Sequence, residues 1–321
     1  MLLCITKIDD LVEVRATLND IADSLNIPFE QRNAPEMSEL ADIVKEVKII
    51  FMNPNRSHIT FNRDTLEKFS SLKVLCTAST GTVHIDMDAA REFGIEVISI
   101  KRYQSVLRTI PSTAELALGL TMDGLRKITR SHNHAVNDFT WNFENYIGKQ
   151  LQDSHVGVLG YGRLGKIYCD RLKGSGAKIS ILDPRLSLDF NKDLEVFINK
   201  CPEFDVVALH IHAEGNEKFI DETFFKRMKN DVVLVNTSRG EIVDHEALFK
   251  FLDGHPDAFY CTDVIPAESD DRLRMQILKE FKVRENIIVT QHIGGMSSGA
   301  RQTAFGLAAN LLKEYYGKVG S

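Results

Sequence analysis

The stretch that decides the fold is His155-Val-Gly-Val-Leu-Gly-Tyr-Gly-Arg-Leu-Gly-Lys166. An apolar run leads into Gly160, Gly162 and Gly165, which have G-x-G-x-x-G spacing, and a helical pattern follows. In a strand, turn and helix of this kind the first glycine permits the tight turn, the second lets the backbone approach a pyrophosphate, and the third allows close helix packing. The pattern predicts a dinucleotide at the amino end of the helix, where unpaired N–H groups favour phosphate.

An acidic residue stands where such a site needs one. The next apolar run, Lys178–Leu182, ends at Asp183, 18 positions after Gly165. A carboxylate there accepts hydrogen bonds from the adenosine ribose and repels a 2′-phosphate, so NAD is favoured over NADP. Arg185 leaves NADP open. A glycine-rich turn is also compatible with a loop that binds nothing, and the order of strand, glycines, helix and acid is what favours the nucleotide.

Apolar runs alternate with amphipathic segments on both sides of this stretch. The runs are Leu2–Thr6, Val47–Met52, Val74–Thr77, Val97–Ile100, Asp205–Ile211, Val232–Asn236, Phe259–Thr262 and Asn286–Thr290. Alternation of this kind predicts βαβ units and parallel sheets. Pro111 precedes an S-x-x-E capping box, Ser112 and Glu115, which predicts a long helix to Ile128.

We therefore expect an α/β protein with two Rossmann-like or flavodoxin-like doubly wound parallel-sheet domains and a cleft between them. Residues 1–110 plus 298–321 are expected to form one domain, and residues 111–297, which contain the glycine turn, the NAD-binding Rossmann domain. A chain of 321 residues exceeds the usual size of one core, which also predicts two domains.

The amino-acid composition bears on which classes of binding partner are expected. The chain is 43% hydrophobic and 26% charged, with a formal net charge of −6, which is typical of a globular protein and gives little reason to expect nucleic acid or an anionic membrane. No apolar run approaches the length that crosses a bilayer. The five cysteines form no CxxC pair, so we expect a reducing cytoplasm and no metal site.

Three further segments follow the ends of predicted strands. They are Asn236-Thr-Ser-Arg-Gly-Glu-Ile-Val-Asp244, Asp263-Val-Ile-Pro-Ala-Glu268 and Gln291-His-Ile-Gly-Gly295. They resemble the N-x-S/A-R-G-x-I/V-V/L-D, D-V-x-x-x-E and H-I-A/G-G/S segments of the D-isomer-specific 2-hydroxyacid dehydrogenase family, in its phosphoglycerate dehydrogenase-like branch. The likeness covers nearly the whole chain, and it implies that Arg239, Glu268 and His292 are catalytic.

The chemistry of hydroxy acid oxidation explains these three residue types. Hydride leaves C2 for the nicotinamide, while the hydroxyl proton goes to a base that titrates near neutrality, which suits His292. A carboxylate such as Glu268 stabilises the protonated imidazole and holds its tautomer. The planar fork of Arg239 binds a carboxylate and polarises the adjacent carbonyl. The predicted protein is an NAD-dependent D-2-hydroxyacid dehydrogenase, an oxidoreductase acting on C2 of a small D-2-hydroxy or 2-oxo acid.

Each of the three residues also has a simpler interpretation. Arg239 is compatible with a surface ion pair, Glu268 with a solvated loop acid, and His292 with a hydrogen-bonded histidine at a strand end. All three follow strand ends, on the side where open α/β sheets bind ligands, and this shared position favours a site.

The resemblance also implies a set of cofactor-binding residues. They are Gly160, Gly162, Arg163, Leu164, Gly165, Asp183, His210, Thr237, Asp263 and Gly295. The chain departs from the family after the strand that ends at Leu209, because His212 replaces the usual proline of an H-x-P motif. The interval from Glu268 to His292 is also short for the family, which we interpret as a trimmed loop.

A glycine turn in the first domain resembles the family's substrate-binding segment, which implies that residues 1–110 plus 298–321 are the substrate (catalytic) domain. Ala78-Ser-Thr-Gly-Thr-Val-His-Ile-Asp86 is similar to S-x-G-T/V-x-x-I-D, which implies that Ser79, Thr80 and Gly81 hold the substrate carboxylate through backbone N–H groups. The same turn is compatible with one that merely ends a strand.

Two basic segments bear on the substrate. Residues 53–60 resemble a loop of phosphoglycerate dehydrogenases, with Pro54 at the position of their phosphate-binding arginine and Arg56 as the candidate substitute. Lys101, Arg102 and Arg108 lie in a longer passage than the family usually has. Our hypothesis is that they bind a second anionic group of the substrate, and a solvated basic loop is the alternative.

The resemblance implies a homodimer formed through the cofactor domains, with the Pro111–Ile128 helix as a contributor. Glu268 argues against a formate dehydrogenase, a relative in which glutamine replaces that acid. Three alternatives stay open: an NAD-sensing, corepressor-like protein with little turnover, a phosphoglycerate dehydrogenase and a phosphite dehydrogenase.

Overall fold

A computed structural model describes residues 1–53, 59–82, 84–268 and 270–319. The chain divides into two compact units, one formed by Met1–Ile110 with Met296–Ser321 and the other by Pro111–Gly295. Each unit contains one parallel sheet with helices, so the predicted class of two doubly wound α/β domains is confirmed.

The first unit contains a five-stranded parallel sheet. Its elements are β1 (Leu2–Cys4), α1 (Val12–Ser24), β2 (Phe29–Gln31), β3 (Ile49–Met52), α2 (Arg63–Lys68), β4 (Val74–Thr77), α3 (Met87–Glu92), β5 (Glu96–Ser99), α4 (Gln104–Leu107) and a C-terminal helix (Ser298–Val319). The strand order is β2-β1-β3-β4-β5. Strands β1, β3 and β4 are buried along their whole length, as expected for parallel strands that are covered on both faces.

Two helices from opposite ends of the chain cover one face of this sheet. Helix α1 buries Val14, Leu18 and Ile21, which recur at helical spacing. The C-terminal helix buries Phe305 and Leu312 in the same hydrophobic cluster. The core of the first unit therefore needs residues from both ends of the sequence.

The second unit contains a six-stranded parallel sheet. Its elements are α5 (Ser112–Arg126), α6 (Ile128–Asn137), β6 (His155–Leu159), α7 (Arg163–Lys173), β7 (Lys178–Leu182), α8 (Phe190–Lys200), β8 (Val206–Leu209), α9 (Glu222–Phe225), β9 (Val233–Asn236), α10 (His245–Gly254), β10 (Phe259–Thr262), α11 (Asp271–Lys282) and β11 (Ile287–Val289). The strand order is β11-β10-β9-β8-β6-β7. The order reverses between β6 and β8, and ligands of open α/β sheets bind outside the carboxyl ends of the strands at such a point.

The start of the second unit differs from the predicted capping box. Pro111 is the N-cap of α5, and the Ser112 hydroxyl donates to the carbonyl of Gly294 at 2.6 Å, while the Glu115 N–H donates to the Pro111 carbonyl at 3.0 Å. The capping box is therefore wrong, because a tertiary acceptor takes the hydroxyl. Helix α5 ends at Arg126, before the left-handed Lys127, whose φ is 53°.

Among the described helices, none combines the length and apolarity that a membrane crossing needs.

Candidate active site

The turn between β6 and α7 is closed so tightly that it needs glycine at two positions. Gly160 has φ +95°, and a Cβ there would lie 2.3 Å from the carbonyl oxygen of His210. A Cβ on Gly165 would lie 2.1 Å from the carbonyl oxygen of Gly160. Gly162 is the N-cap of α7, so its amide stands at the positive end of that helix. The turn has the geometry in which backbone N–H groups can bind a pyrophosphate.

Asp183 connects this turn with the end of β7. Its Oδ2 accepts hydrogen bonds from the Tyr161 N–H at 2.6 Å and from Arg185 Nη2 at 2.6 Å, and its Oδ1 accepts from Arg185 Nε at 2.9 Å. The hydrogen-bonded guanidinium of Arg185 lowers the pKa of Asp183 to about 2. The carboxylate is therefore charged at neutral pH, as the predicted ribose contact requires.

His210 lies at the point where the strand order reverses. Its ring is packed against Tyr168 with centroids 4.9 Å apart, and neither ring nitrogen has a hydrogen-bond partner among the described residues. Burial lowers the pKa of His210 to about 4, so the ring is neutral at pH 7. The hydroxyl of Thr237, after β9, is also buried without a partner in the described part of the chain. Unpaired polar atoms at this edge fit a site whose ligand is polar.

Two other predicted cofactor residues open α7. The side chain of Leu164 packs against the apolar core, so any contact with phosphate would be through its backbone. Burial lowers the pKa of Arg163. The glycines, Asp183 and His210 are the members of the set that the structure brings together around the β6 turn.

Arg239 follows β9 in a tightly packed loop. Its Nη1 donates to the Ser238 carbonyl at 2.7 Å, and within the described residues its other guanidinium nitrogens make no hydrogen bond. The buried amide of Asn236 fixes the backbone, donating to the Arg239 carbonyl at 2.9 Å and accepting from the Ser238 N–H at 3.0 Å. Arg239 therefore has a fixed backbone and guanidinium donors available for an anion.

Glu268 and His292 form a direct pair. His292 Nδ1 lies 2.6 Å from Glu268 Oε2, and Glu268 Oε1 accepts from the Ile265 N–H at 3.1 Å. With Glu268 ionised, Nδ1 carries the proton, which fixes the tautomer and makes Nε2 the nitrogen that can exchange a proton with a ligand. The side chains are 29% and 35% exposed, so the pair is accessible.

The side chain of Asp263 holds the His292 loop. Its Oδ1 accepts from the Thr290 hydroxyl at 2.5 Å and from the Ile293 N–H at 2.8 Å, and its Oδ2 accepts from the Gly294 N–H at 2.7 Å. The His292 N–H donates to the Asp263 carbonyl at 3.0 Å. Sequence reasoning assigned Asp263 to the cofactor and missed this role, for which its position directly after β10 was the available signal.

The three predicted catalytic residues follow three neighbouring strands. In the register of the sheet, Asn236 at the end of β9 pairs with Thr262 at the end of β10, which pairs with Val289 at the end of β11. Arg239, Glu268 and His292 come after those ends, and the carboxyl ends of parallel strands share one edge of a sheet. The interval between Glu268 and His292 contains α11 and β11, and the two residues pair across it.

In the first unit, the predicted substrate turn follows β4. The Ser79 hydroxyl donates to the Gly81 carbonyl at 2.7 Å and lies 2.9 Å from the Thr77 hydroxyl, so it stabilises the turn itself. The N–H groups of Thr80 and Gly81 donate to no acceptor in the described residues. Arg56 and Pro54 lie outside the described residues.

The chain is similar to a family of known dehydrogenases. The family model for "D-isomer specific 2-hydroxyacid dehydrogenase, NAD binding domain" matches residues 118–294, more than half of the 321 residues. Hydroxypyruvate reductase of Thermotoga maritima is 29% identical over 283 residues, which cover 87% of this chain and 88% of that protein.

Two further relatives bear on length and fold. D-3-phosphoglycerate dehydrogenase of Methanocaldococcus jannaschii is 27% identical over 282 residues, covering 86% of this chain but 51% of that longer protein. The crystal structure of D-lactate dehydrogenase from Aquifex aeolicus, complexed with NAD and lactic acid, matches with a TM-score of 0.78 at 20% identity, covering 99% of this chain and 95% of that one. At that identity the structural likeness shows the fold alone.

Proposed function

Because the chain belongs to the D-isomer specific 2-hydroxyacid dehydrogenase family, we propose that it transfers a hydride between NAD(H) and C2 of a small D-2-hydroxy or 2-oxo acid. Its family makes it an NAD-dependent oxidoreductase. The observation that carries the proposal is the pairing of His292 Nδ1 with Glu268 Oε2 at 2.6 Å. NAD supplies the hydride acceptor or donor, and the chain supplies the proton chemistry.

His292 acts as the acid and base. In the reductive direction its Nε2 donates a proton to the C2 oxygen as hydride arrives, and in the oxidative direction it removes that proton. Glu268 stabilises the charged imidazole that exists on the acid side of this cycle. Arg239 binds the substrate carboxylate and polarises the C2 carbonyl, for which its fixed backbone and available guanidinium donors are suited.

The cofactor residues have separate tasks in this proposal. The turn from Gly160 to Gly165 takes the pyrophosphate and Asp183 takes the adenosine ribose. His210, Thr237 and Gly295 lie after strands of the same sheet and contribute to the rest of the dinucleotide site. The Thr80 and Gly81 N–H groups, which bond no acceptor within the described residues, are available for the substrate carboxylate.

The substrate carries a second anionic group in our proposal. Lys101 and Arg102 lie two and three residues beyond Ser99, which pairs with Thr77 at the end of the neighbouring strand β4, and Arg108 follows α4. All three cations are exposed. Alanine at all three positions should lower kcat/KM for 3-phosphohydroxypyruvate and leave pyruvate unaffected. An unchanged substrate preference contradicts this part of the proposal.

A panel of substrates tests the activity itself. Pyruvate, hydroxypyruvate and 3-phosphohydroxypyruvate are offered with NADH, and phosphite with NAD, and the change in absorbance of the reduced cofactor is measured. We expect turnover with at least one 2-oxo acid, and a loss of roughly 10²–10⁴ in kcat in His292→Gln. NAD binding without turnover on any substrate would favour the NAD-sensing alternative, and turnover of phosphite alone would favour a phosphite dehydrogenase.

We also propose a cytoplasmic homodimer that is formed through the second unit. Helix α5, the expected contributor, buries most of its apolar side chains within its own unit. A series of large exposed apolar residues instead follows it along the chain, and its members are Ile128, Val136, Phe139, Trp141, Phe143 and Ile147. Monomers rarely expose such surfaces, and two-fold pairing with a second copy is the commonest way to cover one. The five cysteines are buried and unpaired, which fits a reducing compartment.

Light scattering after size-exclusion chromatography tests the dimer. Trp141 is 97% exposed, and we expect Trp141→Glu to give a monomer. Val12→Glu, at an exposed position of α1, is the control that should not change the mass. A wild-type monomer contradicts the proposal.

A further inference from the structure

We infer that Glu241 and Arg274 are positioning residues. They hold residues 265–268, here called the Glu268 segment, from both sides, so that the Glu268 carboxylate faces His292. The inference rests on the proposed function, because it concerns the acid and base pair of that reaction. Glu241 stands at a position of the first motif that can be any residue, and Arg274 lies outside all three motifs.

Glu241 holds the segment on its amino side. Its Oε1 accepts a hydrogen bond from the Ala267 N–H at 3.2 Å. Ala267 has φ +54°, a left-handed conformation that is unfavourable for alanine and therefore needs support from its surroundings. The bond with Glu241 supplies that support at the residue directly before Glu268.

The backbone of Glu241 is itself fixed against the same segment. A Cβ on Gly240 would lie 2.1 Å from the carbonyl carbon of Ile265 and 2.2 Å from the nitrogen of Pro266, so the two loops are in direct backbone contact. The Glu241 carbonyl accepts from the Lys218 N–H at 2.8 Å. The loop that carries Arg239 therefore reaches the loop that carries Glu268 through two neighbouring residues.

Arg274 holds the segment on its carboxyl side. It lies in α11, and its Nη1 donates to the Glu268 carbonyl at 2.7 Å, while its Nη2 pairs with Asp271. The N-cap of α11, Asp270, accepts from the N–H groups of Arg272 and Leu273 at 2.9 Å. The start of the helix is thus well defined, and Arg274 projects from a fixed element.

The result is a constraint on a flexible side chain. Glu268 is about one-third exposed, and a long acidic side chain at such a position would otherwise sample several rotamers. Three hydrogen bonds hold it in place. The N–H of the preceding residue, Ala267, donates to Glu241, the Glu268 carbonyl accepts from Arg274, and the Glu268 Oε1 accepts from the Ile265 N–H. The remaining oxygen, Oε2, meets His292.

Paired variants test the two residues. Glu241→Ala removes the acceptor for the Ala267 N–H, whereas Glu241→Gln keeps an oxygen there and should rescue the enzyme. Arg274→Ala removes the donor to the Glu268 carbonyl, and Arg274→Lys retains one. Glu246→Ala and Lys279→Ala, at exposed positions of α10 and α11, are matched controls.

The expected kinetic result is a loss in the chemical step. For Glu241→Ala and Arg274→Ala we expect the turnover rate in the reductive direction to fall roughly ten- to a hundredfold, because small misplacements of a reacting group carry such costs. The KM for NADH should not change. The controls should match the wild type.

A readout without turnover separates this inference from the proposed function. The ¹⁵N shifts of His292, assigned by comparison with His292→Gln, report the tautomer, and we expect Nδ1–H in the wild type and a mixture in Glu241→Ala and Arg274→Ala. If no substrate is turned over but the tautomer shifts, the proposed function fails and the positioning role stands. If either folded alanine variant keeps the wild-type turnover rate and tautomer, the inference is overturned for that residue.

Discussion

The two sheets use the same strand order for different purposes. In each, the second strand lies at the edge beside the first, followed by the third, fourth and fifth. After β6 a turn of glycines leaves the backbone accessible at the reversal point, whereas after β1 the corresponding loop contains the buried Ile5 and Ile8. Arg301 of the C-terminal helix ties that loop down, donating to the Lys7 carbonyl at 2.9 Å and pairing with Asp10.

The difference shows that strand order alone does not create a nucleotide site. The strand order makes both reversal points suitable for a ligand. The one after β1 is filled by apolar side chains of its own unit, whereas the one after β6 is lined by glycines, which have no side chains to fill it. Nucleotide binding therefore depends on the loop that follows the first strand of each sheet and not on the strand order. Four changes test this comparison, and the largest expected effect comes first.

Gly160→Ala should disrupt the glycine turn after β6, at the point where the strand order reverses. A Cβ there meets the His210 carbonyl at 2.3 Å, and φ +95° is unfavourable for alanine. We expect a loss of at least about 3 kcal/mol in the free energy of unfolding, together with a loss of NAD binding, measured by urea denaturation and calorimetric titration. Retained NAD affinity would contradict the role given to this turn.

His245→Phe should weaken the dependence of stability on acid. Burial is the main cause that lowers the pKa values of His84, His210 and His245 to about 4, and two of the three lie in the second unit. In the unfolded chain the histidine pKa values return to about 6.5. The contribution of the neutral, buried rings to the free energy of unfolding is therefore fully present above that pH, and it declines as the pH falls toward about 4. Each histidine contributes a slope of up to about 1.4 kcal/mol per pH unit in that window.

Urea midpoints between pH 7 and pH 4.5 give the slope for wild type and variant. The variant should show the smaller slope, whatever its stability at pH 7. Asp183 and Asp205 do not interfere with the comparison. The pKa of each is lowered to about 2, by Arg185 for Asp183 and, against the opposing effect of burial, by Lys149 and Lys229 for Asp205. Their contributions are lost only as the pH falls from about 4 toward about 2.

Asp183→Ala should change the cofactor preference and leave the fold intact. It removes a charge-assisted contact with the ribose, which is worth roughly 1.5–3 kcal/mol, so kcat/KM for the NAD couple should fall about ten- to a hundredfold. It also releases Arg185, which can then bind a 2′-phosphate. The ratio of kcat/KM for NADPH to that for NADH should rise, and an unchanged ratio would show that Asp183 does not select the cofactor.

Gly306→Ala in the C-terminal helix should have the smallest effect. No described heavy atom outside the helix's own neighbouring backbone lies within 4 Å of a Cβ built there. Alanine in a helix interior is favoured over glycine by roughly 0.5–1 kcal/mol, so thermal unfolding should show a slight stabilisation of the first unit. The contrast with Gly160→Ala separates glycines that a site needs from those that it does not.

Local sequence patterns predicted the strands, most of the helices and the glycine turn, but they did not predict hydrogen bonds between residues that are distant in the sequence. Alternating apolar runs indicated parallel sheets, and the glycine spacing indicated the turn after β6. The Ser112 hydroxyl fitted a local capping box, but its acceptor is Gly294, which is 182 positions away. The carboxylate of Asp263 likewise accepts its hydrogen bonds from Thr290, Ile293 and Gly294, which lie 27 to 31 positions away.

The shared core of α1 and the C-terminal helix has a consequence for synthesis on the ribosome. Phe305 and Leu312 are translated after the whole second unit, yet they complete a core that begins at Leu2. Domains generally fold from the amino terminus as they emerge, but here the continuous second unit can fold while the first still lacks one helix. The strands of the first unit must therefore stay unaggregated until the helix that completes their core has been made.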